Sequence, residues 1–322
     1  MKVSVVTVAH NRPVELGLFL DSLLNQSTLP AELIVVDNGS NADSGATIRL
    51  REQEFASRGV SVRCVRHGRN SLAAGRNLGA RLSSGDIIMF LDDDVLLDKD
   101  YLREILKVYE EASDALGVQG HILAEVHESR GRDRLLRLFF LSHREPAGCR
   151  LLPSLCTTYP IEMERVARCQ WLSGSNHSYR RGVLEEFRYD ERLIKYCDGE
   201  DIDFSYRVLK KYPGSLFITP FAKLTHRPCA EGRAPGRETT CMREIYRLYL
   251  LFKLFDPTLR SISIFVWSRV GYFALALGRA VLRRPPGGLS EIRYLLGAYW
   301  LCLRHLREIR RGSLDFFNRT IQ

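Results

Sequence analysis

Asp86-Ile87-Ile88-Met89-Phe90-Leu91-Asp92-Asp93-Asp94 joins an uninterrupted apolar run to three consecutive carboxylates. A run without polar alternation suits a parallel strand covered on both faces, so residues 86–91 read as strand and the triplet as the turn leaving its carboxyl end. Working outward, residues 3–9, 33–36 and 60–65 supply three more strands. Between the first two, Val14, Leu16, Leu20, Leu23 and Leu24 recur at helical spacing behind Pro13, a good first-turn residue, and residues 73–82 give a second helix. Strands alternating with helices predict an α/β chain built on a Rossmann-like, mainly parallel sheet flanked by helices.

Ligands of such sheets bind beyond the carboxyl ends of the strands, so the polar residues that follow each strand are expected around one crevice. They are His10 and Asn11, residues 37–40, residues 66–70 and the triplet. Adjacent carboxylates repel and their pKa values rise unless a cation offsets the repulsion. A hard divalent ion, Mg²⁺ or Mn²⁺, completed by phosphate oxygens would do so; the alternative is an acidic turn capping the next helix. Asp37, in Val35-Val36-Asp37-Asn38-Gly39-Ser40, can accept from a uracil-type N–H or a ribose hydroxyl, or cap its own turn. Asn70 with Gly75-Arg76-Asn77-Leu78-Gly79 offers small residues and a guanidinium suited to a pyrophosphate, unless Arg76 pairs with an acid.

In order and spacing, residues 4–11, 35–40, 70–79 and 90–94 resemble the successive donor-site motifs of the family-2 glycosyltransferases, inverting enzymes of the GT-A fold. The likeness covers roughly residues 1–230. It implies a UDP-, dTDP- or GDP-type sugar donor, Ala9, His10 and Asp37 at the base, and Arg76 near the pyrophosphate. It further implies Asp92 and Asp93 toward the ribose or the outer shell of the metal, with Asp94 as the direct ligand. The family commonly has tyrosine where this chain has His10.

Trp171-Leu172-Ser173-Gly174-Ser175-Asn176 resembles the family's acceptor-facing loop, which implies that Trp171, Gly174 and Asn176 meet the acceptor. A Trp face can stack on a sugar ring, and Trp171 can equally be core. Direct displacement needs one carboxylate to take the acceptor's hydroxyl proton. In Asp198-Gly199-Glu200-Asp201-Ile202-Asp203-Phe204 the resemblance favours Asp201 as base with Glu200 positioning the acceptor, a saccharide or lipid-linked sugar. Helix N-capping by Asp198 or Asp201 is the alternative, and Asp203 with Arg207 fits a structural i,i+4 pair. The resemblance places His226 on the metal, for which a neutral imidazole is an acceptable ligand.

The 322 residues, 45% hydrophobic and 26% charged, exclude a disordered chain. Eight scattered cysteines contain no C-x-x-C pair and read as thiols filling core and surface. No basic n-region precedes the first strand, which predicts no secretory leader and a cytoplasmic catalytic part. The net charge of +9 lies wholly in residues 240–322, with 14 Arg and Lys against 5 Asp and Glu; residues 1–239 carry 33 of each. A neutral catalytic part and the lack of a nucleic-acid motif predict no nucleic-acid partner. Nucleotidyl transfer, the alternative activity, would want a glycine-rich loop after the first strand, where Ala9-His10-Asn11-Arg12-Pro13 has no glycine.

Residues 261–282 are apolar, but Arg269 and Arg279 deny them the ~18 uncharged residues of a membrane span. On one continuous helix Arg293, Arg304, Arg307 and Arg311 fall within about 60° of one another, and the remaining surface carries Leu295, Leu296, Tyr299, Leu303 and Leu306, with Trp300 at the boundary. Such a helix suits an anionic membrane surface, here the inner face of the cell membrane; the alternative is a helical subdomain packed on the catalytic core with its arginines solvated. The expected organisation is a donor-binding half at 1–115, an acceptor-binding and catalytic half at 116–238, and a basic, amphipathic helical extension at 239–322. Linkers are expected at 231–237 and 285–288.

Overall fold

The computed structural model describes residues 1–40, 44–123, 130–145, 148–160, 162–196, 199–227, 236–282 and 288–321. Cys197, Asp198, Cys229 and most of both expected linkers lie outside them. The first half runs β1 (Val3–Ala9), α1 (Pro13–Leu24), β2 (Glu32–Asp37), α2 (Ser44–Ser57), β3 (Ser61–Arg66), α3 (Leu72–Leu82), β4 (Ile87–Leu91), β5 (Val95–Leu97) and α4 (Tyr101–Glu111). Then come β6 (Gly117–Ile122), α5 (Arg130–Leu138), β7 (Arg144–Glu145), β8 (Tyr159–Pro160), β9 (Ala167–Arg168), β10 (Asn176–Arg180), α6 (Arg181–Glu186), α7 (Glu200–Lys211) and β11 (Leu216–His226). Among the described residues five helices follow: α8 (Gly236–Leu254), α9 (Leu259–Leu282), α10 (Gly288–Arg304), α11 (Leu306–Arg310) and α12 (Asp315–Ile321).

Among the described residues nine strands form the main sheet in the order β3-β2-β1-β4-β10-β6-β11-β5, with β9 against β11. The four expected strands are parallel throughout. Beyond β4 the sheet is mixed: β10 lies antiparallel between β4 and β6, and β5 pairs antiparallel with β11. Unbroken parallel pairing therefore belongs to the first half, where crossover helices cover the sheet, while in the second half β6 and β11 pair in parallel between antiparallel neighbours.

Two cores result. Val5 of β1, Leu33 and Val35 of β2 and Met89 of β4 meet Phe19 and Leu23 of α1 and Ile105 of α4 on one face. On the other, Val6, Ile34 and Phe90 meet Tyr179, Tyr189 and Phe204. Each such buried side chain contributes about 1.5–3 kcal/mol. Helix α3 lies so close to β1 that a Cβ on Gly79 would stand 2.3 Å from Val6 Cγ1, and this approach carries Arg76 to the sheet.

Among the described residues, no break in the core coincides with the boundary expected at residue 238. Ile245, Tyr246, Tyr249 and Leu250 of α8 belong to the same core as Phe204 of α7. Lys253 of α8 bonds Asp203 at 2.7 Å and Asp190 at 2.6 Å, while Arg207 holds Asp203 at 2.8 Å as the i,i+4 spacing expects. The helix also joins the base of the expected catalytic segment through Lys195 and Glu238.

The single arginine-striped helix is corrected as well. The chain breaks at His305 between α10 and α11, where the imidazole stacks on Phe316 at 4.0 Å, so the arginines do not share one helix face. Helix α9 is long and apolar enough to cross a membrane by length and composition, contrary to the expectation from its arginines. Arg269 turns inward and pairs with Glu244 of α8 at 3.2 Å.

Candidate functional site

The triplet leaves β4 beside the 173–176 loop, because β10 pairs with β4 and Asp92 N–H donates to the Ser175 carbonyl at 3.1 Å. Asp93 and Asp94 are buried. Asp94 Oδ1 lies 3.1 Å from His226 Nε2, and Asp94 Oδ2 accepts from Arg12 Nη1 at 3.1 Å. The same guanidinium donates to Asp93 Oδ1 at 3.3 Å and lies 5.4 Å from the centre of the Tyr196 ring. His226 arrives from 132 residues away because β11 runs antiparallel to β5, pairing His226 with Val95, and Arg227 N–H closes on the Asp94 carbonyl at 2.9 Å. One ligand atom each from Asp92, Asp94 and His226 lies within 4.8 Å of the others. Two carboxylates and an imidazole fit Mn²⁺ or Mg²⁺ in donor type and closeness.

Burial pushes the Asp93 carboxyl up to about 8, with Asp92 and Asp94 adding to the rise and Arg12 opposing it. Burial raises Asp92 too, against the pull of Arg76. Asp93 Oδ2 is buried without a hydrogen-bond partner among the described residues. Concentrated, desolvated carboxylate charge favours a bound cation.

At the ends of β1 and β2 the polar residues knit together. His10 Nδ1–H donates to the Asn38 carbonyl at 3.1 Å, and Nε2 accepts from Asn70 Nδ2 at 3.2 Å. Asn38 Nδ2 in turn donates to Asn70 Oδ1 at 3.2 Å. Ala9 and Asp37 close the register between the strands, and Asp37 Oδ1 accepts from Ser40 N–H at 2.9 Å. The post-strand groups of β1, β2 and β3 thus meet, as the α/β reading expects.

Arg76 is buried and engaged through both terminal nitrogens. Nη1 donates to Glu200 Oε1 at 2.6 Å, and Nη2 to Asp92 Oδ1 at 3.2 Å and the Gly174 carbonyl at 2.7 Å. Its guanidinium therefore links the triplet, the 173–176 loop and the start of α7. Asp201 Oδ2 accepts from Gly174 N–H at 2.6 Å and Asp201 Oδ1 from Ile202 N–H at 2.8 Å. A Cβ on Gly174 would stand 3.0 Å from Asp201 Oδ2 and 3.3 Å from Arg76 Nη2, so a side chain there would crowd both groups by a few tenths of an ångström. Glu200, Asp201 and Asp203 occupy the first turn of α7, where the helix dipole favours negative charge.

Two residues expected at the acceptor point elsewhere. Trp171 is buried in the core, its Nε1–H donating to the Thr158 carbonyl at 3.1 Å and its ring against Tyr159, so it offers no open face for stacking on a sugar. Asn176 is fully buried in β10 and donates to the Gly120 carbonyl at 3.1 Å, a bond that fastens β10 to β6. Gly174 does face the site.

Sequence reasoning missed Arg12 and Tyr196. Arg12 stands in the segment quoted for its lack of glycine, and a single basic residue there carries no spacing that announces partners 81 and 82 residues away. Tyr196 is brought in when Leu72 N–H and Lys195 N–H bond the carbonyls of Lys195 and Asn70. Its hydroxyl stands 3.5 Å from Asp92 Oδ2.

Comparison with known proteins agrees with this geometry. Residues 4–188 match the family model "Glycosyl transferase family 2". The hyaluronan synthase of Pasteurella multocida is 36% identical over 270 residues, 75% of this chain, which spans a quarter of that protein's length. The glucosyl-dolichyl phosphate glucuronosyltransferase of Haloferax volcanii is 28% identical over 234 residues, 70% of this chain and 69% of that one. Among solved structures, a mannosyltransferase of Pyrobaculum calidifontis in complex with GDP-Man and Mn²⁺ superposes with a TM-score of 0.58 at 14% identity, covering 94% of this chain and 87% of that one. Residues 1–349 of S. aureus TarS in complex with UDP-GlcNAc give 0.53 at 15% identity over 92% and 79%. The chain therefore belongs to glycosyltransferase family 2, has the GT-A fold of that family, and is a glycosyltransferase.

Proposed function

We propose that the chain moves a sugar, with inversion, from a nucleotide-diphosphate donor to a hydroxyl of a saccharide or lipid-linked acceptor at an anionic membrane surface. The observation that carries the reading is the meeting of Asp92, Asp94 and His226 at the mouth of the sheet, joined through Arg76 and Gly174 to Asp201. The solved neighbours with Mn²⁺ and GDP-Man, or with UDP-GlcNAc, support a nucleotide-sugar donor and a divalent ion. Asp94 and His226, with Asp92 in reach, would hold Mn²⁺ or Mg²⁺. When bound, the ion neutralises charge on the diphosphate as it leaves.

The chain's own residues do the rest. Ala9, His10 and Asp37 receive the nucleoside, Asp92 and Asp93 lie toward the ribose, and Arg76 fixes the distance between the triplet and α7. Asp201 takes the acceptor's hydroxyl proton while that oxygen bonds to the anomeric carbon from the face opposite the diphosphate. The bond from that carbon to the diphosphate oxygen breaks, and its electron pair leaves with the diphosphate. Two backbone N–H groups, of Gly174 and Ile202, hold the Asp201 carboxylate in one orientation, as a positioned base requires. Glu200 keeps Arg76 in place and borders the acceptor. In organisation, residues 1–115 serve the donor and 116–238 the acceptor, with α8 completing the second part, and the later helices meet the membrane.

A thermal-shift screen of UDP, GDP, dTDP and their sugars with Mn²⁺ tests the reading. Stabilisation by at least one nucleotide, abolished by EDTA, is expected; stabilisation by none of them would overturn it.

A further inference from the structure

Helix α9 is built inside out for a helix in water. Its buried residues are mostly small or polar, Ser261, Ser268, Arg269, Gly271, Ala276 and Ala280 with Phe265, while Ile262, Val266, Trp267, Val270, Leu277 and Val281 are exposed. Helix α10 repeats the pattern in part, with Leu296, Trp300 and Leu303 exposed and Ala298 and Cys302 buried. Small and hydrogen-bonding residues between helices with large apolar ones outward is the arrangement of helices packed in lipid. Water would force it to leave a large apolar patch uncovered.

Between α8, α9, α10 and α11 lies a groove of about 870 Å³, lined by Leu248, Phe252, Val266, Phe273 and Leu303 among other apolar side chains. That volume falls within the roughly 300–1,000 Å³ of ligand pockets. Its charged members divide into two sets. Glu244 and Arg269 pair with each other, whereas Arg307 and Arg310 line the groove from α11 and are exposed. Between 304 and 311 four arginines face one carboxylate, Glu308, which bonds His305 at 2.8 Å. An apolar trough with cationic groups along it complements a ligand that carries a long hydrocarbon chain and an anionic head.

We infer that this groove holds a hydrocarbon chain of an anionic membrane lipid, with the lipid phosphate on Arg307 and Arg310 and the outward faces of α9 and α10 against neighbouring chains of the same leaflet. The inference rests on the membrane part of the proposed function and gives that surface a specific lipid seat. It stands apart from the donor site, since no groove residue belongs to the triplet, the 173–176 loop or α7.

The test uses the full chain and a fluorescent lysophosphatidylglycerol below its micelle concentration, with the lysophosphatidylcholine of equal chain length as control. Saturable binding of one probe per protein is expected, weaker for the neutral probe by on the order of tenfold, as two arginines at a lipid surface imply. Arg307→Gln with Arg310→Gln should remove that preference. Val266→Glu with Leu303→Glu, both at exposed positions that tolerate substitution, should abolish binding of either probe. Binding that is non-saturable, equal for both heads or indifferent to the glutamates overturns the seat, as does dimerisation of the wild type that the glutamates abolish. Nucleotide stabilisation in the same samples separates the two readings: lipid binding without it overturns the donor reading alone, and nucleotide stabilisation without lipid binding overturns the groove alone.

Discussion

The mouth of the sheet and the C-terminal helices treat charge and apolar surface in opposite ways. At the mouth, Arg12 and Arg76 are buried, and each bonds two carboxylates within 3.3 Å. Around α9 and α10 the arginines largely face outward and large apolar side chains lie on the surface. The first region has countered its own charge and keeps crowded carboxylates for a cation; the second has apolar surface that the chain does not cover. The first suits a small polar ligand, and the second is the surface that the proposed reading sets against hydrocarbon.

The sharpest break of that contrast is chemical. Asp201→Asn should lower sugar transfer by about 10²–10⁴-fold while nucleotide binding stays as it was. Substantial turnover in this variant, measured with any accepted sugar, would move the base role to Glu200 or Asp203. Next in size, Arg76→Ala removes the cation from buried Glu200 and Asp92 and should cost about 3–5 kcal/mol in urea denaturation. Arg76→Lys should recover little, because one ammonium cannot reproduce the forked contacts to Glu200, Asp92 and Gly174.

Arg12→Met should lower stability by about 1–3 kcal/mol by leaving Asp93 and Asp94 without their guanidinium. Added Mn²⁺ should then stabilise the variant more than the wild type, since an added cation replaces the lost one. A smaller Mn²⁺ effect in the variant would mean that Arg12 helps hold the metal site together rather than competing for its charge.

A pH effect follows from His177, which donates through Nδ1 to the Ser173 carbonyl at 2.7 Å and accepts at Nε2 from Tyr189 at 2.5 Å. Burial, reinforced by Arg76, holds its pKa well below the usual value. The folded ring stays neutral while the unfolded one takes up a proton, so its contribution is full above about pH 6.5 and is lost as pH falls, by at most about 1.4 kcal/mol per unit. Urea midpoints at pH 7.5 and 5.5 should converge in His177→Gln relative to the wild type; an unchanged separation would exclude His177 as the source. At the small end, Val266→Ser or Leu303→Ser should alter stability by no more than about 0.5 kcal/mol, as exposed residues do, whereas Phe90→Ala in the core should cost about 3–5 kcal/mol.

The same two regions explain what could be read from the sequence. Strands β1 to β4 fall within a residue or so of their expected limits, because each is a local apolar or β-branched run between turn signals. Strand β10 was hidden. Asn176, His177 and Ser178 are polar yet buried, and what makes burial tolerable is partners on distant segments such as Gly120 and Val118. The break at His305 has no glycine or proline to mark it, and the ring that stacks there, Phe316, is eleven residues away. Trp171 shows the same limit: whether an aromatic faces a ligand or the core is decided by what packs on it, and Thr158 and Tyr159 do. Local periodicity reveals elements, while long-range side-chain pairing remains silent until the fold is known.

Calorimetric titration of the nucleotide that emerges from the thermal screen, into wild type and Asp94→Ala with Mn²⁺ or with EDTA, tests the central claim most directly. The wild type should bind tightly only with Mn²⁺, and Asp94→Ala should lose on the order of a hundredfold in affinity and all response to EDTA. Equal wild-type affinity with and without the metal, or Asp94→Ala binding that still collapses in EDTA, would contradict the assignment of the metal to Asp94.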